Sequence, residues 1–194
     1  MMQKTFWLGL CLSLAAWGVG QPGYALPGEL VRSVEEWIQA NPTLRPGPGE
    51  RLRVNRVDTP AQRFGFQASI FPVSGVAPGV SGNIIRTERF SLFDLINGLD
   101  GNRMEESLRA IYGTEIYADY RRALPVYSYP DADGAPLENP NLRQQGEVRQ
   151  GDRYAYWLEL DSDQAGVTYS GQMAIFLKED LPLLLEQLGG QTAP

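Results

Sequence analysis

Arg153–Asp161 reads RYAYWLELD, and Val167–Lys178 reads VTYSGQMAIFLK. In both stretches large apolar side chains recur at every second position, which is the period of a strand with one buried face. The link Ser162–Gly166 is short and polar, as a hairpin loop requires. These residues predict an antiparallel hairpin, and the rest of the fold is inferred outward from it.

Three further strands are predicted nearer the amino terminus, at Arg51–Asp58, Gln62–Phe71 and Asn83–Phe90. The turn residues Asp58-Thr59-Pro60 separate the first strand from the second. Between the second and third lies Gly75–Gly82, whose glycines predict a flexible hairpin loop.

Four helices are predicted from apolar residues at helical spacing and from terminal signals. Pro27–Ala40 begins the domain, and Ser91–Asn97 forms a short helix capped by its serine. Arg103–Tyr112 follows and ends at Gly113, and Leu181–Leu188 closes the chain.

Two stretches carry weaker signals. Glu115–Tyr129 is ambiguous and aromatic-rich, with an extended end at Val126–Tyr129. Pro130–Asp152 has few apolar residues, which indicates a flap, a binding loop or a mobile segment.

Residues 26–194 are therefore predicted to form one α+β domain. We expect an antiparallel sheet of about five strands, with N-terminal, middle and C-terminal helices packed on one face.

The first 25 residues have the three parts of a secretory signal peptide. Met1–Lys4 is basic, Thr5–Gly20 is uncharged and mostly apolar, and Gln21–Ala25 ends with small residues at the cleavage positions. An uncleaved membrane anchor is the alternative, but a spanning helix needs roughly 20 apolar residues, more than this run contains. We expect cleavage after Ala25 and export to the periplasm or thylakoid lumen.

The composition excludes several kinds of chemistry. Cys11 is the only cysteine and leaves with the signal peptide, and the chain has no histidine. Thiol nucleophiles, disulfides, imidazole bases and the preferred ligands of zinc are then missing, so we expect no cofactor, no metal and no catalytic site. The net charge of −6 disfavours nucleic acid and anionic membranes as partners.

Acidic residues leave two catalytic or metal-binding interpretations open. Glu115, Asp119, Glu159 and Asp161 are candidates for a pair of carboxylates that hydrolyses glycosides. The alternative is a solvated sheet face. The sequence from Asp161 to Gly166 begins like a calcium loop, but the later ligand positions do not match, and a polar hairpin turn is the favoured interpretation.

A cluster of tyrosine, tryptophan and arginine is the most unusual local feature. Such residues are common anchors of binding surfaces. The predicted ligand- or partner-binding residues are Tyr117, Tyr120, Arg121, Arg122, Tyr127, Tyr129, Tyr154 and Trp157. The alternative is that about half of them pack the sheet against a helix.

RTERFSLFDLING at Arg86–Gly98 and QGDRYAYWLEL at Gln150–Leu160 resemble segments of uncharacterised exported proteins of cyanobacteria. The resemblance implies a periplasmic or lumenal location and no particular activity. We expect a non-enzymatic binding or accessory protein that supports a membrane complex from the exported side. A carboxylate-dependent hydrolase of cell-envelope glycans and a small-ligand carrier are the alternatives.

Overall fold

Seven antiparallel strands form one sheet in the part of the chain that the computed structural model describes, residues 26–75, 82–129 and 143–191. A 3-10 turn at Lys178–Asp180 precedes the last helix. In chain order the elements are α1 (Val31–Ala40), β1 (Arg53–Thr59), β2 (Gln62–Ser69), β3 (Thr87–Asp94), α2 (Gly101–Arg122), β4 (Leu124–Tyr129), β5 (Arg143–Gln150), β6 (Ala155–Ser162), β7 (Thr168–Phe176) and α3 (Leu181–Gln191).

Two antiparallel meanders meet at the centre of the sheet. The strand order is β1-β2-β3-β7-β6-β5-β4, so the first three strands form one half and the last four form the other. β3 pairs with β7 from Thr87 opposite Phe176 to Phe93 opposite Ser170. Helix α2 carries the chain from β3 at the centre to β4 at the far edge. The predicted hairpin is confirmed as β6 and β7.

The helices cover both faces of the sheet. α1 and α2 share a core with Phe90 and Met173 on what we call the α2 face. Leu184 of α3 packs with Ala174 and Phe176 on the other face, the α3 face. Successive residues of a strand point to opposite faces, so these two cores lie on opposite sides. The prediction of about five strands with all helices on one face is therefore wrong in both respects.

The strands missing from the prediction are β4 and β5. β4 ends the ambiguous stretch, and β5 occupies Arg143–Gln150 of the segment predicted to lack structure. β5 has one fully buried residue, Val148. Its sequence therefore lacks the alternation of apolar side chains by which a strand is predicted. Its neighbours β4 and β6 supply the pairing that stabilises it. Four stretches lie outside the described residues: the predicted signal peptide at 1–25, positions 76–81 of the predicted hairpin loop, residues 130–142 and residues 192–194.

The predicted short helix at Ser91–Asn97 is also wrong, because β3 continues to Asp94. Ser91 pairs with strands on both sides, and this pairing outweighs its tendency to cap a helix. Asp94 then ends the strand by accepting a bond from the backbone N–H of Asn97 at 3.0 Å. That bond and the guanidinium of Arg103 hold the pKa of Asp94 well below its usual range.

The predicted helix at Arg103–Tyr112 is confirmed and extends further. α2 begins after Asp100, whose carboxylate accepts a bond from the N–H of Arg103 at 2.8 Å. Gly113, predicted as its end, has φ 80° and ψ −173° and introduces a kink, after which the helix resumes to Arg122. A residue with a β-carbon adopts this conformation only with strain, so glycine sets the direction of the second half.

Glu88 is an acid inside the core of the α2 face. It is fully buried on β3, between Ala68 of β2 and Ile175 of β7. The buried hydroxyl of Tyr112 on α2 interacts with it, but neither group makes a well-formed hydrogen bond among the described residues. Burial raises the pKa of Glu88 to about 8, so the carboxyl is largely protonated at neutral pH.

We predict that Glu88→Gln removes a pH dependence of stability. The pKa of Glu88 in the folded state is about 8, above the ordinary 4.5 that it regains on unfolding. The protonated form of Glu88 makes its full contribution to stability below pH 4.5. As the pH rises from 4.5 to 8, the free energy of unfolding should fall by about 1.4 kcal/mol per pH unit. Urea unfolding at several pH values should show this slope in the parent protein and a flatter one in the variant.

The matched control is Glu106→Gln, which changes an exposed glutamate on α2. It should leave the slope between pH 5 and 8 as it is in the parent protein. Equal slopes for the parent and Glu88→Gln would contradict the raised pKa of Glu88 in the folded protein.

Candidate binding surface

The sheet divides the eight predicted binding residues into two groups. Tyr117, Tyr120, Arg121, Arg122 and Tyr154 lie on α2 or in the core of the α2 face. Tyr127, Tyr129 and Trp157 lie on the α3 face. The eight residues therefore do not form one continuous surface.

The group at α2 is mainly engaged in packing and ion pairs. Tyr120 is buried and meets Tyr156 edge to face, with ring centroids 5.3 Å apart. The guanidinium of Arg149 lies 4.8 Å from the Tyr120 ring centroid, and burial raises the pKa of Tyr120 to about 12. Arg121 and Arg122 are exposed and pair with acidic neighbours. In this group only the half-buried Tyr117 and the two arginines are reachable from solvent.

A pocket of about 340 Å³ lies between α2 and the β5–β6 turn. Its lining residues are Glu115, Ala118, Asp119, Arg122, Asp152 and Arg153. The buried carboxylate of Asp119 accepts bonds from the N–H groups of Asp152 at 3.0 Å and Arg153 at 3.3 Å, and from the Tyr156 hydroxyl at 2.7 Å. Asp119 therefore fixes the turn. Burial and the bond that the Tyr156 hydroxyl donates to Asp119 raise the pKa of Tyr156 far above its usual value.

The four acids considered for hydrolysis lie on opposite sides of the sheet. Glu115 and Asp119 line the pocket at α2, whereas Glu159 and Asp161 are on β6 and point to the α3 face. In each pair one carboxylate accepts bonds from protein donors through both of its oxygens, Asp119 in the first and Glu159 in the second. This placement favours structural roles for them.

Glu159 is the centre of a hydrogen-bonded network on the α3 face. Its buried carboxylate accepts a bond from the Tyr129 hydroxyl and one from the Gln172 amide at 2.5 Å. The indole N–H of Trp157 donates to the Tyr129 hydroxyl at 2.9 Å. Burial and the bond to Glu159 raise the pKa of Tyr129 far above its ordinary value. Two predicted binding residues are thus held in fixed positions by a buried acid.

The network depends on a glycine in the intervening strand. Gly146 of β5 lies between Tyr129 on β4 and Glu159 on β6. A β-carbon at Gly146 would lie 2.2 Å from the nearest atom of the Tyr129 ring. Tyr129 reaches Glu159 because its ring lies across the space that this side chain would fill.

We predict that Gly146→Ala displaces the Tyr129 ring and breaks the network. Loss of hydrogen bonds to a buried carboxylate should lower the free energy of unfolding by about 1–3 kcal/mol. The indole N–H resonance of Trp157 should shift in an NMR spectrum, since its acceptor moves. Gly101→Ala is the control, because a β-carbon there meets no atom within 4 Å. An unchanged Trp157 resonance in Gly146→Ala would contradict the assignment.

Arg89 lies beside the network on β3. Its half-buried guanidinium is 5.6 Å from the centroid of the Trp157 ring, which is within the range of a cation–π contact. Burial lowers the pKa of Arg89, and the charge of Glu159 opposes this effect. Among the described residues no carboxylate lies within 4.0 Å of its nitrogens. Arg89 is thus a partly desolvated cation whose contact on this face is an aromatic ring.

Most of the α3 face outside α3 is accessible, and we call this part the open surface. A depression of about 270 Å³ lies on it, where Gly65 and Ser91 have small or absent side chains. Arg63 lies over the ring of Phe93, 4.8 Å from its centroid, at the rim. The open surface consists of Arg53, Asn55, Arg63, Gly65, Gln67, Arg89, Ser91, Phe93, Trp157 and Gln172.

The predicted turn between β6 and β7 is confirmed. The backbone N–H of Gly166 donates to the carbonyl of Asp163 at 3.0 Å, and the N–H of Val167 donates to the Asp163 carboxylate at 2.9 Å. Within the described ranges, no group of three or more histidine, cysteine, aspartate or glutamate side chains is placed to hold a metal ion.

Sequence reasoning did not select Arg89 or Gln172 as binding residues, although a signal was present. In RTERFSLFD strict alternation puts Phe90 and Leu92 on one face and Arg89 and Ser91 on the other. The sequence was divided after Phe90 because Ser91 can cap a helix. The predicted strand Asn83–Phe90 already contains Arg89, and continuing it past Phe90 would have added Ser91 and Phe93 to the same sheet face.

No protein-family model, curated protein or solved structure matches this chain. The resemblance to exported proteins of cyanobacteria therefore stays a prediction. In residues 26–75, 82–129 and 143–191, no helix has both the length and the apolar character needed to cross a membrane.

Proposed function

We propose that this protein is an exported, non-enzymatic binding or accessory protein that engages its partner through the open surface. The observation that carries the proposal is the half-buried guanidinium of Arg89 on the Trp157 ring, next to the Tyr129–Glu159 network. Tryptophan, tyrosine and arginine held rigidly on an accessible sheet are the residues that contribute most to binding energy.

A binding role also agrees with the chemistry available. The chain has no histidine, and Cys11 lies within the proposed leader. The hydrolase alternative draws less support, because Asp119 and Glu159 are engaged by protein donors. The small-ligand carrier draws less support because the buried side chains of the α2 and α3 faces form packed clusters. We place the protein in the periplasm or thylakoid lumen, supporting a membrane complex from that side.

We predict that the exported protein begins at Leu26. Small residues at Gly23 and Ala25 occupy the positions that a signal peptidase reads. Mass spectrometry of the protein from the exported compartment should give a chain that starts after Ala25. An Ala25→Arg variant should retain the leader and stay with the membrane. Recovery of full-length protein in the cytoplasm would contradict export.

We predict that a photoreactive residue in place of Ser91 cross-links one defined partner in the cell. Ser91 is exposed at the centre of the open surface, beside Arg89 on the same strand. The adduct should weaken several-fold in an Arg89→Gln background. A photoreactive residue in place of the exposed Glu106 on α2 is the control and should give no such adduct. Equal labelling from both positions, or none from Ser91, would contradict binding through the open surface.

A further inference from the structure

Arginine is the charged residue that regular alternation places on the half of the α3 face formed by β1, β2 and β3; Asp58 lies at the irregular end of β1, at the edge of this half. Strand alternation places three arginines on it, one from each strand: Arg53, Arg63 and Arg89. Glu88 and Asp94 are the buried acids of these strands, and both point to the α2 face. This cationic half belongs to a chain whose net charge is −6.

Arginines elsewhere in the described chain are mostly paired with carboxylates. Arg32, Arg51, Arg86, Arg103, Arg109, Arg121, Arg122, Arg149 and Arg153 each have a carboxylate within 4.0 Å. Arg53 instead donates to the Gln67 amide oxygen at 3.3 Å, and Arg63 donates to the carbonyl of Pro60 at 3.2 Å. Arg53, Arg63 and Arg89 therefore have no described carboxylate within 4.0 Å, which is also true of Arg45, Arg56 and Arg143, but these three are the ones that share the open surface.

The donors of Arg89 are arranged to receive an anion. A guanidinium has five N–H donors in a planar fork that matches a carboxylate, and it stays charged at any physiological pH. Contact with Trp157 orients the plane of Arg89 but uses none of these donors as hydrogen bonds. A carboxylate that approached from solvent would gain a charge-assisted, two-point contact in a partly dehydrated place.

The spacing of the arginines fits an extended ligand. Arg53 and Arg89 both pair with Gln67, so they are two strands apart, about 10 Å. Arg63 lies four residues from Gln67 along β2, which adds about 13 Å in the perpendicular direction. One small anion cannot reach all three positions, whereas acidic side chains along an extended peptide can.

We propose that Arg53, Arg63 and Arg89 bind an extended acidic segment of a partner protein, with one carboxylate of that segment on the Arg89 guanidinium. This inference rests on the proposed binding function and names the class of partner. A protein segment is favoured over an anionic membrane or nucleic acid because the net charge of −6 repels a long polyanion, whereas a short segment meets mainly the local arginines.

The test is calorimetric titration of the purified exported protein with a synthetic peptide of alternating glutamate and serine. The variant Arg53→Gln/Arg63→Gln/Arg89→Gln should bind about tenfold more weakly or not at all. The control Arg32→Gln/Arg51→Gln/Arg109→Gln removes the same charge from arginines that already have acidic partners, and it should change affinity by less than about threefold. Circular dichroism should show that both variants are folded.

Three results would overturn the inference. One is equal loss of affinity in the two triple variants, which would indicate attraction by total charge. Another is tighter binding to phosphatidylglycerol vesicles or to single-stranded DNA than to the peptide, with the same dependence on the three arginines. The third is no peptide binding by the parent protein. If the Ser91 cross-link persists in that case, the binding function stands and only the acidic partner class is wrong.

Discussion

The pairing of β3 with β7 is the contact on which the rest of the structure depends. It joins a meander built early in the chain to one built late, and without it the sheet would separate into two halves. It also places Phe90 against Met173 in the core of the α2 face. Because the two strands are far apart in sequence, their pairing must overcome a large loop-closure entropy. Burial of Phe90 and Met173 on the α2 face, and of Ala174 and Phe176 on the α3 face, contributes compensating free energy.

The same pairing assembles the open surface. Arg89 of β3 lies opposite Ala174 of β7, and Ala174 lies opposite Trp157 of β6. Since the alanine between them is short and buried, the guanidinium can extend across β7 to the indole ring. Two residues further along β3, Ser91 pairs with Gln172 of β7, whose side chain donates a hydrogen bond to Glu159. The surface is therefore a property of register, and a shift of one residue would send these side chains into the core.

Local pattern predicted the strands whose own side chains fill the cores. The alternation of tyrosine and leucine in RYAYWLELD predicted β6, and helical spacing predicted α1 and the first half of α2. β5 could not be predicted in this way, since RQQGEVRQ has one apolar side chain to bury, at Val148. The site was partly predictable. Tyr129 and Trp157 were predicted from their residue types, whereas local sequence could place Arg89 on a strand but not reveal its contact with Trp157, which is far along the chain.

Two adjacent ionisable residues of β3, Glu88 and Arg89, have no salt-bridge partner within 4.0 Å among the described residues, and burial affects them differently. Glu88 in the core can become neutral, and its pKa of about 8 means that at neutral pH it largely does. Arg89 on the opposite face keeps its proton at physiological pH, although burial lowers its pKa. Its partial desolvation is therefore unfavourable, and the Trp157 ring and the charge of Glu159 offset it only in part. An acidic group of a partner would offset the cost of this desolvation, which is why the contact is proposed at Arg89 rather than at the buried acid beside it.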